Sequence, residues 1–195
     1  MMDAEGFPDL PGPNWPAIAG RALLWLILAW LWLRFATHSI ASNYVGDSFL
    51  HLVNLVFHEA GHVLFGLFPR FLVVLGGSAT QVLVPIACLV AFWRRQDRFG
   101  AAVAAWWAGQ NLVDLAPYIN DARALQLVLL GGRTGAEVEG HDWEYLLQAL
   151  GLMTWDHGLA RLAHLGGLLV MAAALAWAAL ELRRQYHDAR AAPAA

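Results

Sequence analysis

Residues 57–62 read FHEAGH, inside the apolar run FLHLVNLVFHEAGHVLFGLF at 49–68. On a helix, His58 and His62 lie one turn apart on one face, with their rings converging. That spacing suits two imidazole ligands of a single tetrahedral zinc. Glu59 stands beside the pair, placed to take a proton from a water that the ion polarises. In a soluble helix so short a pattern arises readily by chance. In an apolar run it carries more weight, because ionisable groups taken out of water are costly unless something compensates them, and a cation does. The competing reading is a hydrogen-bonded polar cluster that ties helices together.

The same helix carries a polar stripe of His51, Asn54, His58 and His62, at i, i+3, i+7 and i+11, which is expected to face the bundle interior while Leu, Val and Phe face lipid. His51 reads as a structural histidine or as support for the site. Zinc needs a third protein ligand. The stretch NLVDLAPYINDAR places Asn111, Asp114, Tyr118 and Asp121 on one helical face, with Pro117 between them. That proline removes a backbone hydrogen bond and is expected to kink the helix. If both helices enter from one side at Phe49 and Phe99, His62 lies ~20 Å deep, Asp114 ~22 Å and Asp121 ~33 Å at 1.5 Å per residue. Depth thus favours Asp114, and Asp121 stays a candidate. Asn111 and Tyr118 are candidate donors to an oxyanion. His141, in HDW at 141–143, is an alternative ligand whose ring Asp142 would orient. The plainer reading of HDW is a helix start.

The elements that must position these groups are membrane helices. Of 195 residues, 59% are hydrophobic and only 14% charged, too few charges for the surface of a soluble domain of this size. The net charge is −3 and there is no basic run, so no nucleic-acid partner is expected. The single Cys88 excludes an intrachain disulfide and a cysteine-rich metal site. The chain reads as an all-α polytopic membrane protein with about five transmembrane helices and a polar metal site inside the bundle. The spans fall at about 17–36, 49–68, 71–93, 99–119 and 159–182. Together they form one transmembrane domain over 17–186, preceded by an irregular leader at 1–16 and followed by a frayed tail at 187–195. The mixed segment 120–156 lies outside. Within the third span, GGSATQ is either a helix break or a close helix crossing.

All twelve cationic residues are Arg, the bias of a GC-rich bacterial genome, so the bacterial inner membrane is the expected location. Arg94, Arg95 and Arg98 lie in one loop, and Arg183, Arg184 and Arg190 follow the last span. Five spans put both groups on the cytoplasmic side, with the carboxyl terminus there and the amino terminus outside. The leader lacks the positive region of a signal peptide, so no cleavage is expected.

These residues resemble the site-two protease class of intramembrane zinc metallopeptidases. Members carry His-Glu-x-x-His on one transmembrane helix and take an aspartate ligand from another, after an Asn and one or more prolines. The resemblance covers about residues 49–125 and implies His58 and His62 as ligands and Glu59 as base. Asn111, Pro117 and Asp121 follow its Asn…Pro…Asp order, although this chain reads INDAR where the family has Leu-Asp-Gly. Motif order therefore favours Asp121 where depth favours Asp114. The function expected is hydrolysis of peptide bonds in membrane or membrane-proximal segments, with one Zn2+ per chain. The partners would be membrane lipid and a transmembrane protein or peptide substrate. One alternative is a zinc hydrolase acting on a lipid amide or ester. Another is a non-catalytic transporter or sensor with a closed site of His58, His62, Asp114 and His141.

Overall fold

The computed structural model describes residues 14–191, so 1–13 and 192–195, most of the expected leader and the end of the tail, lie outside the described residues. The described residues form six α-helices: α1 Trp15–Ala36, α2 Phe49–Leu64, α3 Arg70–Arg94, α4 Arg98–Asn120, α5 Asp142–Ala149 and α6 Asp156–Ala191. Short 3-10 turns at Ile40–Ser42 and Met153–Trp155 join them. There is no strand among the described residues, only an isolated bridge between Val128 and Thr134. Local chemistry sets the helix starts. Asn14 accepts from the Ala17 N–H, Ser48 from His51 and Asp97 from Gly100, each satisfying a donor that has no partner in the first turn. The expected tail continues α6 as helix to Ala191.

Among the described residues three helices are long and apolar enough to cross a membrane: α1, α3 and the stretch Met153–Ala191 that contains α6. Helix α2 has 16 residues, about 24 Å at 1.5 Å each, short of the ~20 residues of a full span. Helix α4 is long enough, but it is the central helix. It packs against α3 and α6 and buries Gln110, Asn111 and Asp114. Its sequence is polar because its neighbours, rather than lipid, cover it. Gly109 and Gly167 let α4 and α6 touch backbone to backbone, and a Cβ on Gly109 would lie 2.8 Å from the Gly167 carbonyl oxygen. A row of exposed Leu and Trp side chains, among them Leu26, Trp30, Leu165 and Leu169, clothes the outer faces of α1 and α6.

Helix α1 runs antiparallel along α6. The indoles of Trp25 and Trp32 donate to the carbonyls of Leu175 and Leu168 at 2.9 and 3.0 Å. Arg21 donates to Gln185 at 2.9 Å, and the rings of Trp15 and Tyr186 stand 5.8 Å apart. The α3–α4 turn joins the same end through Arg98 and Glu181, 4.0 Å apart. All the arginine clusters therefore gather at one end, and the amino-terminal end of α1 lies with them. This corrects the expectation that placed it opposite the arginines. The physical reason is the segment 37–48, which turns the chain inside the bundle. Val45 is buried in the same cluster as Phe35, Trp106 and Val113, so α2 starts part-way along the bundle and not at its inner surface.

Helix α3 runs unbroken through GGSATQ, so that stretch is a close crossing and not a break. A Cβ on Gly61 would overlap the Gly76 carbonyl oxygen. Helix α4 likewise continues through Pro117 to Asn120.

Candidate metal centre

Helix α2 presents His58 and His62 toward α3 and α5. Each ring is held by its Nδ1: that of His58 is 3.0 Å from the Gln81 Oε1, and that of His62 is 2.9 Å from the Val73 carbonyl oxygen. Because both acceptors require an N–H donor, each imidazole turns its Nε2 inward. The two Nε2 atoms converge on one carboxylate oxygen, Asp142 Oδ2, at 2.8 Å from His58 and 3.2 Å from His62. Donor atoms of the three residues all lie within 4.8 Å of one another, a separation at which one ion can bind all three.

The floor of this site is a glycine. A Cβ on Gly77 would lie 2.6 Å from the His62 Nε2 and 2.7 Å from the His58 Nε2. Only a residue without a side chain leaves both nitrogens room for a ligand. Two imidazoles, one carboxylate and an open cradle fit a zinc-type ion and leave a fourth tetrahedral position unclaimed by the protein.

Asp142 owes its place to the first turn of α5. Its backbone N–H donates to the Tyr118 hydroxyl at 2.8 Å, and the preceding His141 caps the helix by accepting from the Glu144 N–H at 3.2 Å. Burial alone would push the Asp142 carboxyl up, but the hydrogen bonds from His58 and His62 outweigh it and hold it below the ordinary carboxylate range. Burial pushes the His141 imidazole down, against the Asp121 and Asp142 charges nearby.

The third position beside the two histidines is thus taken by Asp142, and not by Asp114, Asp121 or His141. Asp114 sits two hydrogen bonds further out, behind Gln81: its Oδ2 accepts from Asn54 and Gln81, both at 3.0 Å, and its Oδ1 faces the His51 Nδ1 at 3.0 Å. Asp121 caps the turn after α4, accepting from the backbone N–H groups of Gln126 and Leu127 at 2.9 Å. The ring of His141 points its Nε2 at Asp121, 3.4 Å away. Asn111 is fully buried and donates to the Trp107 carbonyl, away from the site. Asn54 meets the expected neighbouring helix by donating to Gln110 at 2.8 Å, and it accepts from the Trp107 indole at 2.9 Å.

Depth counting set Asp114 beside the two histidines because it set the starts of α2 and α4 level. In the structure His51, near the start of α2, meets Asp114 in the second half of α4. Two contributors carried a weak signal in the sequence. Gln81 is a long polar side chain in an otherwise apolar half of α3, and Asp142 follows His141 at a helix start.

A cleft of about 650 Å3 opens beside the three donors. Glu59, His51 and Tyr118 line it, and the loop at 127–132 walls it with Leu127, Leu129 and Leu130. The Tyr118 hydroxyl accepts from Asp142 and has no acceptor for its own proton among the described residues, so that proton is available to a group in the cleft.

No protein-family model, curated protein or solved structure matches the chain.

Proposed function

We propose that the protein is a membrane-embedded, metal-dependent hydrolase of the site-two protease type, cutting peptide bonds in membrane or membrane-proximal segments. In this reading five helices, α1 to α4 and α6, form an inner-membrane bundle around the polar centre. His58, His62 and Asp142 would hold one Zn2+, which would supply Lewis-acid activation of a carbonyl and of a water. Glu59 takes the proton from that water and passes it to the leaving nitrogen. Tyr118 donates its free hydroxyl proton to the developing oxyanion. The leucine wall of the cleft holds an apolar substrate segment.

One observation supports this reading above the others: two imidazoles from α2 and a carboxylate from α5 meet over a glycine floor supplied by α3, beside a cleft that Glu59 lines. Three donors with an open position suit catalysis. A closed transport or sensing site would need a fourth, and the fourth residues expected for it, Asp114 and His141, are engaged elsewhere.

The test is purification with bound metal counted, followed by incubation with a quenched transmembrane peptide and, separately, with lipid amides and esters. Wild type should carry one zinc and cleave the peptide, and Glu59→Gln should keep the zinc and lose cleavage. Lipid products in place of peptide products would move the assignment to a lipid hydrolase. Full zinc occupancy with no hydrolysis of either would overturn it.

A further inference from the structure

Asp114 was a candidate ligand by depth, yet it lies one residue removed from the centre, in a buried chain of hydrogen bonds. From the metal site outward the chain runs His58 Nδ1 to Gln81 Oε1 at 3.0 Å, Gln81 Nε2 to Asp114 Oδ2 at 3.0 Å, and Asp114 Oδ1 to His51 Nδ1 at 3.0 Å. Asn54 adds a second donor to Asp114 Oδ2 at 3.0 Å. We propose that Asp114 is a positioning residue for the metal centre, acting through Gln81 on the tautomer of His58. The proposal rests on the metal-binding reading above and concerns residues that do not touch the ion.

An amide side chain can turn either its oxygen or its NH2 toward a neighbour, and the two ends differ only in hydrogen-bonding role. Gln81 sits between His58 and Asp114, so whichever end meets Asp114 decides which end meets His58. An ionised carboxylate accepts hydrogen bonds and cannot donate them. Asp114 therefore binds the NH2 of Gln81 and leaves its oxygen for His58. An oxygen at that place demands a proton on the His58 Nδ1, which makes Nε2 the nitrogen that can ligate an ion on the side of His62 and Asp142. Were Gln81 reversed, its NH2 would favour a lone pair on Nδ1 and a proton on Nε2, and His58 could not ligate through that nitrogen. The Asp114 charge also strengthens the hydrogen bond along the chain. Partners of this kind behind a metal-bound histidine are worth roughly 10–100-fold in metal affinity. His62 needs no such device, because its Nδ1 meets a backbone carbonyl that cannot reverse.

Gln81 and Asp114 come from different helices and are both buried. Packing alone could explain the pair, so the test must separate a tie between α3 and α4 from an effect on the ion. Co2+ affinity and visible spectrum report on the centre without any need for turnover. They are measured on the full chain in detergent for wild type, Gln81→Met, Asp114→Asn and the double variant. Asp114→Asn, with the same shape but no charge, keeps the test sharp if Gln81→Met folds poorly.

A relay predicts that each single variant binds Co2+ roughly 10–100-fold more weakly with an altered spectrum. The double variant should be no worse than either single, since both break one chain. Affinity equal to wild type in both single variants, or losses that simply add in the double, would overturn the relay while leaving the metal site standing. A wild type that binds no Co2+ would remove the metal reading itself, and the relay with it.

Discussion

His58 and Asp142 are 84 positions apart in the chain, yet the histidine Nε2 and the carboxylate Oδ2 lie 2.8 Å apart. The contact spans two elements of different character, a helix within the bundle and the first turn of a short helix from the segment that follows α4. It closes a three-donor centre that neither element makes alone, and it carries the following expectations.

Asp142→Ala should lower zinc affinity by several orders of magnitude, as should His58→Ala, because each removes one of only three protein donors. Asp121→Asn should leave zinc content at wild-type level. It would instead loosen the turn at 126–127, whose two backbone N–H groups it caps, at about 1 kcal/mol for each bond weakened. Metal analysis beside thermal unfolding separates the two. Zinc lost from Asp121→Asn and kept by Asp142→Ala would reverse the ligand assignment.

Glu59→Gln should keep zinc and lose hydrolysis by about 10²–10⁴-fold, the usual contribution of a positioned general base. Glu59 lines the cleft outside the three-donor group, so its neutral isostere leaves the donors intact. The readout is turnover at matched zinc occupancy; undiminished turnover would exclude Glu59 as the base.

Gly77→Ala sets two effects against each other. Helix propensity alone favours alanine within α3 by about 1 kcal/mol. The new methyl, however, would stand 2.6 Å from the His62 Nε2 and 2.7 Å from the His58 Nε2. Zinc affinity should collapse while the helix stays formed by circular dichroism. Gly20→Ala, with nothing within 4 Å of its Cβ, is the control that should change neither. Tight zinc binding by Gly77→Ala would mean that the cradle is not where the ion sits.

Tyr118→Phe removes the acceptor of the Asp142 N–H and a hydroxyl donor to the cleft. Loss of the first should cost about 0.5–1.5 kcal/mol in the docking of α5. Loss of the second should lower kcat further at saturating zinc. A variant with reduced stability and unchanged kcat would confine Tyr118 to a structural role.

Zinc uptake should also release protons. Both imidazole Nε2 atoms face one carboxylate oxygen, and such contacts need hydrogens that a binding cation would displace. Titration of the apoprotein with zinc in weakly buffered solution should acidify it. An unchanged pH would argue against ligation by these nitrogens.

Much of the centre was legible in the residues. The pairing of His58 with His62 needs only a helix, since the one-turn spacing is local. The inward face of α2 was readable from its polar stripe for the same reason. The orienting amide of Gln81 was not, because a single polar residue in an apolar helix gives its depth but not its neighbour. Asn111 and Asp114 looked alike as members of one stripe on α4, yet one donates to its own helix and the other joins α2 and α3.

The amino-acid sequence by itself determined an all-helical, apolar chain with two imidazoles and a carboxylate grouped on one helix, because spacing within a helix is a matter of a few residues and a known pitch. Only the tertiary structure decided which aspartate completes the group and at which end of the bundle α1 begins. Those outcomes depend on the turn at 37–48 that starts α2 inside the bundle, and on the segment at 121–141 that carries Asp142 back over α2. The energies that choose such paths lie in contacts between distant residues, and no local pattern records them.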